Sequence, residues 1–140
     1  MKKAILTFSL VFSGSLLHAA TWESELVEGS VQGAHVTNGL DAQRQNHLAY
    51  SGNGGATLNY AIWNGISWLP QTLEGPFQAV DDVSLAVHLP TGEVMVAYVA
   101  RTGGVSTLRL ARKPTAGAWT FETVSSSPAI RQVALAINSS

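Results

Sequence analysis

The chain has 140 residues, of which 12% are charged, with a formal net charge of −1 and no cysteine. This length allows one domain, and the near-neutral charge gives no basic stripe of the kind that nucleic-acid-binding proteins carry. Because cysteine is absent, disulfides are excluded and stability must come from packing alone.

The first twenty residues have the pattern of an export signal. Lys2 and Lys3 precede an apolar run over residues 4–17, and two alanines follow before Thr21. This order is typical of a cleaved signal peptide, and the run is shorter than the roughly 20 residues that a membrane-spanning helix needs. No cysteine is available for a lipid anchor. We therefore expect residues 1–20 to be a signal peptide and the mature chain to be secreted or periplasmic, with no membrane attachment after cleavage.

The remaining chain repeats itself. The phrase WESELVEGSVQ, which begins at Trp22, aligns without a gap with WLPQTLEGPFQ, which begins at Trp68, and Trp119 begins a third copy, WTFETV. Between the tryptophans, HLAY at 47–50 recurs as MVAY at 95–98. A period of about 50 residues made of short strands is typical of a propeller blade.

Each period contains four short alternating or apolar runs, separated by turn-forming residues. No stretch of the mature chain keeps a helical period, so the sequence predicts an all-β protein. The predicted strands are Val36–Leu40, His47–Gly52, Thr57–Trp63 and Ser67–Leu73 in the first period, and Val83–His88, Val94–Ala100, Ser106–Arg112 and Ala118–Val124 in the second.

Four antiparallel strands per repeat predict a fragment of a β-propeller. Two complete four-stranded blades, 36–73 and 83–124, follow a lone N-terminal outer strand at 22–27. A lone C-terminal inner strand at 133–138 starts the next blade. Since closed rings have about four to eight blades, we expect the missing downstream blades to belong to the same full-length chain.

One turn points to a family. The segment AIWNGISW at 61–68 keeps Gly65, Ser67 and Trp68 of the Asp-box pattern Ser-x-Asp-x-Gly-x-Thr-Trp, but lacks its first Ser and its Asp. With LDAQRQNHLAY at 40–50, it resembles the secreted bacterial propellers of the sialidase-like, Asp-box (BNR) repeat superfamily. The resemblance covers the mature chain with degenerate repeats and implies a propeller fold. In that superfamily the box is a structural turn remote from the active site, and the Arg-Ile-Pro motif of true sialidases is missing here.

Polar residues precede the predicted inner strands in the same register. Aligning the valines that open these strands places His35, Asp82 and Gln132 directly before them, with Asp81 and Arg131 one residue earlier. In a propeller this position faces the central mouth, where a carboxylate, an imidazole and a guanidinium suit sugar binding or acid–base chemistry. The alternative is that these residues cap strand ends and stay solvated. The candidate ligand-binding residues are His35, Asp81, Asp82, Arg101 and Arg131; catalytic residues stay unknown.

Other chemistry has little support. No histidine cluster has the ligand spacing of a zinc or calcium site, and no glycine-rich loop opens a helix, so neither metal nor cofactor is expected. His47 and His88 are isolated in or beside strands. The regular spacing of Trp63, Trp68 and Trp119 favours packing between blades, with a sugar-stacking platform as the alternative.

The leading functional prediction is an exported, non-catalytic module that binds a carbohydrate or a protein ligand at its central mouth. A first alternative is the N-terminal part of a carbohydrate-active enzyme, a sialidase-like glycoside hydrolase or lyase, whose catalytic residues lie mostly in missing blades. A second alternative is a short lectin that assembles a propeller by oligomerisation.

Overall fold

The structure, a computed structural model, describes residues 26–28 and 35–138. These residues form eight β-strands and one short 3-10 turn, Asn53–Gly55, and none of them belongs to a helix that could cross a membrane. The strands are β1 (Val36–Leu40), β2 (Asn46–Gly52), β3 (Thr57–Trp63), β4 (Trp68–Glu74), β5 (Ala79–His88), β6 (Glu93–Thr102), β7 (Val105–Lys113) and β8 (Thr120–Ser127).

The strands form two antiparallel four-stranded sheets, and the all-β prediction is confirmed. The first sheet has the order β1-β2-β3-β4 and the second the order β5-β6-β7-β8, so each strand pairs with the next one along the chain. Glycines in the left-handed region close two of the hairpins, at Gly65 and at Gly103 with Gly104, as tight antiparallel turns require. The largest difference from the predicted bounds is at β5, which begins at Ala79 rather than at Val83.

The sequence repeat is also a repeat of backbone geometry. In the first sheet Leu58 lies opposite Glu74 and Asn59 opposite Thr72, so that Leu73 is an extra residue in β4. The second sheet has the same irregularity, with Val124 as the extra residue in β8. A β-bulge of this kind bends the outer strand and increases its twist, so both sheets are shaped alike at the same edge.

The main core lies between the two sheets. Side chains at opposed positions of neighbouring strands share a face, and Ala49, Leu58 and Tyr60, on one face of the first sheet, are each buried to at least 97%. We call this face the forward face, and give the same name to the corresponding face of the second sheet, which carries Leu108 and Leu110. The forward face of the first sheet packs against the opposite, rear face of the second sheet, whose buried apolar side chains are Val83, Leu85, Val94, Val96, Tyr98 and Ala111.

The innermost strands of the two sheets approach each other closely. The Leu85 backbone N–H of β5 donates a hydrogen bond of 3.3 Å to Thr37 Oγ1 of β1. A Cβ atom added to Gly39 would lie 2.7 Å from Leu85 Cδ2, closer than side-chain atoms can approach. Small residues on β1 therefore let β5 lie directly against it.

The predicted C-terminal inner strand is not part of a sheet. Residues 131–138 form no β-ladder with any described residue; instead the Val133 and Leu135 N–H groups donate to Asp82 Oδ2 (2.8 Å) and Ser84 Oγ (3.0 Å) of β5. β5 lies beside this segment but contacts it through the side chains of Asp82 and Ser84, so no backbone ladder joins the two. Its side chains alternate between partly buried and exposed, as in extended chain.

Two other predictions fall mainly outside the described residues. The signal peptide at 1–20 lies wholly outside them. Of the lone outer strand predicted at 22–27, only Leu26 and Val27 are described, and neither is in a strand.

Candidate functional site

A bulge in β5 sets the positions of the two candidate carboxylates. Val80 lies opposite Ala100 and Asp82 opposite Val99, which leaves Asp81 as the extra residue. Pairing continues on both sides of this bulge, so Asp81 and Asp82 lie inside β5, not ahead of the inner strand as we expected. Bulges re-aim side chains, and the two neighbouring carboxylates contact different partners.

Asp82 is bonded on both sides of its strand. Its Oδ1 accepts the Val83 N–H at 3.0 Å and lies 3.6 Å from His35 Nδ1, while its Oδ2 accepts the Val133 N–H at 2.8 Å. His35 is held in place because its backbone exchanges hydrogen bonds with Ser51 of β2. The carboxylate of Asp82 thus joins the start of the first sheet, the second sheet and the C-terminal segment.

Asp81 forms an ion pair with Arg101 at the end of β6. Arg101 Nη2 lies 3.0 Å from Asp81 Oδ1, and the Gln78 N–H donates to the Arg101 carbonyl at 2.8 Å. Two buried polar atoms of the pair, Asp81 Oδ2 and Arg101 Nε, have no hydrogen-bond partner among the described residues. The Arg101 side chain is 35% exposed, so its guanidinium is both anchored and accessible.

Arg131 is not brought into this cluster. It is exposed, precedes the bonded segment by two residues, and takes part in no ion pair with the described residues. The structure therefore shows two separate contacts on neighbouring residues of β5, His35 with Asp82 and Arg101 with Asp81, and Arg131 takes part in neither.

These two contacts contain both hydrogen-bond donors and acceptors. The guanidinium donates, the carboxylates accept, and the imidazole can do either. Within the described ranges no group of three potential ligands is placed to hold a metal ion. Such an arrangement can hold a polar, uncharged ligand through several hydrogen bonds.

A second polar cluster, between the sheets, was missed by sequence reasoning. Glu74, at the end of β4, accepts the Tyr98 hydroxyl, and Arg109 reaches its two oxygens from Nη2 (2.6 Å) and Nε (3.0 Å). Burial, with the Glu74 carboxylate beside it, raises the pKa of Tyr98 above its ordinary value of 10.0. This cluster fixes the outer strand of the first sheet to the middle of the second.

The same contact occurs one repeat earlier. Glu28 accepts the Tyr50 hydroxyl at 2.8 Å and the Asn59 side-chain amide at 3.4 Å. The sequence did contain a signal, because Glu28-Gly29 and Glu74-Gly75 stand at the same place after Trp22 and Trp68.

A third cluster surrounds a buried histidine in β2. His47 Nδ1 lies 2.6 Å from the Tyr60 hydroxyl, and its Nε2 is 3.4 Å from Asp41 Oδ2 without hydrogen-bond geometry. Burial lowers the pKa of His47 below its ordinary 6.5, although Asp41 acts in the opposite direction. His47 is therefore a strand residue with local partners.

The three regularly spaced tryptophans have different surroundings. Trp119 packs against the core, with its ring edge-on to Tyr60 at a centroid distance of 5.0 Å. Trp63 and Trp68 contact each other at 5.7 Å and, with Leu26 and Ile66, line an open groove of about 330 Å³. Packing between sheets, which we predicted for all three, is thus seen only for Trp119.

Comparisons with known proteins give no relative for this arrangement. No protein-family model, no curated protein and no solved structure matches the chain.

Proposed function

We propose that the chain is an exported module of the β-propeller type, with the two sheets as blades and β1 and β5 as their inner strands. The hydrogen bond from Leu85 to Thr37 has a counterpart, one repeat later, in the bond from Leu135 to Ser84. A constant step between successive units is what a propeller requires. Its export rests on the basic and apolar residues of the first twenty positions.

The module binds a carbohydrate at the edge where the inner strands begin, and it does so without catalysis. One observation carries this proposal: the Asp81–Arg101 pair and the His35–Asp82 contact are adjacent at the start of β5. Sugar hydroxyls both donate and accept hydrogen bonds, so a site that offers both donors and acceptors matches them. Asp82 accepts two backbone N–H groups, an arrangement suited to holding a position more than to transferring protons.

Binding can be tested by screening the purified chain against immobilised glycans and then titrating any glycan that binds. We expect Arg101→Ala to weaken that binding about 10- to 100-fold, the value of a charge-assisted hydrogen bond. The matched control is Arg112→Ala, because Arg112 forms an equally short surface ion pair, 3.0 Å to Glu93, beside the β5–β6 hairpin at the other end of these strands. Equal affinities of the two variants, or no glycan bound, would refute the site.

Export of the chain can be tested separately from binding. N-terminal sequencing of the protein recovered from the periplasm or medium should begin at Thr21. Recovery of a chain that still starts at Met1 in the membrane fraction would show that residues 1–20 are an anchor.

A further inference from the structure

We propose that Asn53 is a site of spontaneous deamidation, at which the side-chain amide becomes a carboxylate without an enzyme. The chain has three Asn-Gly pairs, which begin at Asn38, Asn53 and Asn64. Asparagine is one of the thermolabile residues, and a following glycine has no side chain to hinder its backbone nitrogen. The three pairs have different surroundings in the fold, and Asn53 is the one whose reacting groups are free. This site is independent of the carbohydrate site proposed above.

The reaction is intramolecular and needs only water. The Gly54 backbone nitrogen attacks the side-chain carbonyl carbon of Asn53 and gives up its proton, and ammonia leaves as the new C–N bond closes a five-membered succinimide ring. Water then opens the ring at either of its two carbonyls, which gives aspartate or isoaspartate. Because the two reacting groups must meet in one geometry, ring closure needs a side chain that can turn and an accessible glycine nitrogen.

Both reacting groups of the Asn53–Gly54 pair are free. The two residues are exposed and lie in the turn Asn53–Gly55 between β2 and β3. Neither the Asn53 side-chain amide nor the Gly54 N–H has a hydrogen-bond partner among the described residues. A Cβ atom added to Gly54 would have no atom within 4 Å, so the glycine stands in open space. The hydrogen bond that closes the turn, from the Ala56 N–H to the Asn53 carbonyl at 3.2 Å, involves neither group.

The Asn64–Gly65 pair also lies in a turn, but there the side chain is held. Asn64 Oδ1 accepts the Ile66 N–H at 2.9 Å and the Ser67 N–H at 2.8 Å. A rotation of the Asn64 side chain breaks both bonds, and each is worth about 1 kcal/mol. We therefore expect the side chain of Asn64 to reach the ring-closing geometry less often than that of Asn53.

The Asn38–Gly39 pair lies inside a strand. Asn38 and Gly39 of β1 stand opposite Leu48 and His47 of β2. On the other side of β1, the side chain of Leu85 is so close that a Cβ atom on Gly39 would lie 2.7 Å from its Cδ2. Ring closure at Asn38 would have to distort a backbone that is held by both neighbouring strands.

Deamidation of Asn53 changes the end of the first sheet that carries His35. His35 exchanges backbone hydrogen bonds with Ser51, just before the turn. Each conversion adds one negative charge to a chain whose formal net charge is −1. Aspartate tolerates the left-handed conformation of Asn53, whose φ is 50°, as well as asparagine does. Isoaspartate lengthens the backbone of the turn, so we expect it to loosen the hairpin beside His35.

The test incubates the full chain in mildly alkaline buffer and follows each of the three asparagines by peptide mapping with mass spectrometry. We expect Asn53 to react about tenfold faster than Asn38 and Asn64, which corresponds to a barrier lower by about 1.4 kcal/mol. In urea the unfolded chain loses these differences, and the three rates should converge because glycine follows each asparagine. A rate at Asn53 in the folded chain that is no higher than the rates at the other two would overturn the proposal.

Two glycine variants test the role of the Gly54 nitrogen. Gly54→Ala places a methyl group beside that nitrogen and should slow the loss of Asn53 about tenfold, a barrier raised by about 1.4 kcal/mol. Gly55→Ala is the matched control, because Gly55 also has a positive φ and open surroundings but leaves the Asn53–Gly54 pair intact. Unchanged deamidation in Gly54→Ala, or equal slowing in both variants, would contradict attack by the Gly54 nitrogen.

Discussion

The two sheets are built on the same plan, but their forward faces differ in exposure. Leu58 and Leu108 both stand one residue before the point where the outer strand bulges. Leu58 is fully buried, whereas Leu108 is partly exposed. The difference comes from the neighbour, since the second sheet covers the first and no described sheet covers the second. Whether a leucine at this place is buried therefore depends on which repeat it belongs to and on the sheet that follows, more than on the residue type.

The rear faces differ in the same way. Trp119 packs on Tyr60 of the preceding sheet, while Trp68, at the corresponding place, contacts Trp63 and lines an open groove with Leu26 and Ile66. We therefore expect equal positions in the sequence repeat to contribute unequally to stability. Matched substitutions can break or sharpen this comparison.

The largest effect is expected from the two leucines of the forward faces. Leu58→Ala should lower the free energy of unfolding by about 2–5 kcal/mol, because it leaves a cavity between the sheets. Leu108→Ala should cost less than about 1 kcal/mol, since this side chain is partly in water already. Urea denaturation of both variants measures the difference, and equal losses would contradict the comparison.

The two tryptophans should rank next. We expect Trp119→Ala to cost about 2–4 kcal/mol, because the ring fills space against Tyr60 in the core. Trp68→Ala should cost less than about 1 kcal/mol. Thermal melts give the ranking, and Trp119 fluorescence in the Trp68→Ala variant should remain blue-shifted. A larger loss for Trp68 would show that the groove is a packed interface.

The glutamates that join successive repeats should have smaller effects. Glu74→Gln removes the charge that pairs with Arg109, and we expect a loss of about 1–3 kcal/mol. Glu28 accepts hydrogen bonds from the neutral side chains of Tyr50 and Asn59. Glu28→Gln should therefore lower the free energy of unfolding by about 1 kcal/mol or less. Chemical denaturation at low and high salt distinguishes the two variants, because only the loss of unfolding free energy in Glu74→Gln should become smaller as salt is added.

The smallest effect is a dependence of stability on pH. His47 faces Asp41 of the β1–β2 loop, Tyr60 of β3 and the more distant Lys113 of β7. Its pKa is lowered in the folded state, so the unfolded chain binds more protons as the pH falls below about 6.5. The contribution of His47 is therefore complete above about pH 6.5 and is lost as the pH falls towards its folded pKa.

His47→Gln should flatten the slope of unfolding free energy against pH between about pH 5 and 7, and urea denaturation at a series of pH values measures that slope. If the pH dependence of the unfolding free energy persists in His47→Gln, groups other than His47 cause it.

Sequence reasoning found the strands because each has apolar alternation or a short apolar run closed by glycine turns. The repeat aligns His35 with Asp82, and the structure places them 3.6 Å apart. Sequence reasoning failed at the β5 bulge, since an extra residue is defined only by pairing with β6. It also failed at the contact of Glu74 with Tyr98, because the repeated Glu-Gly pairs mark the position of the glutamate but not its partner on another sheet.

The consecutive pairing of strands has a consequence for how the chain folds. Each sheet is assembled from adjacent hairpins, so the loops to be closed within it are short and cost little entropy to close. In arrays of repeats the stability is shared between each unit and its contacts with its neighbours. We therefore expect the first sheet to fold as soon as its 39 residues, Val36 to Glu74, are available, and then to provide the surface on which the second sheet condenses.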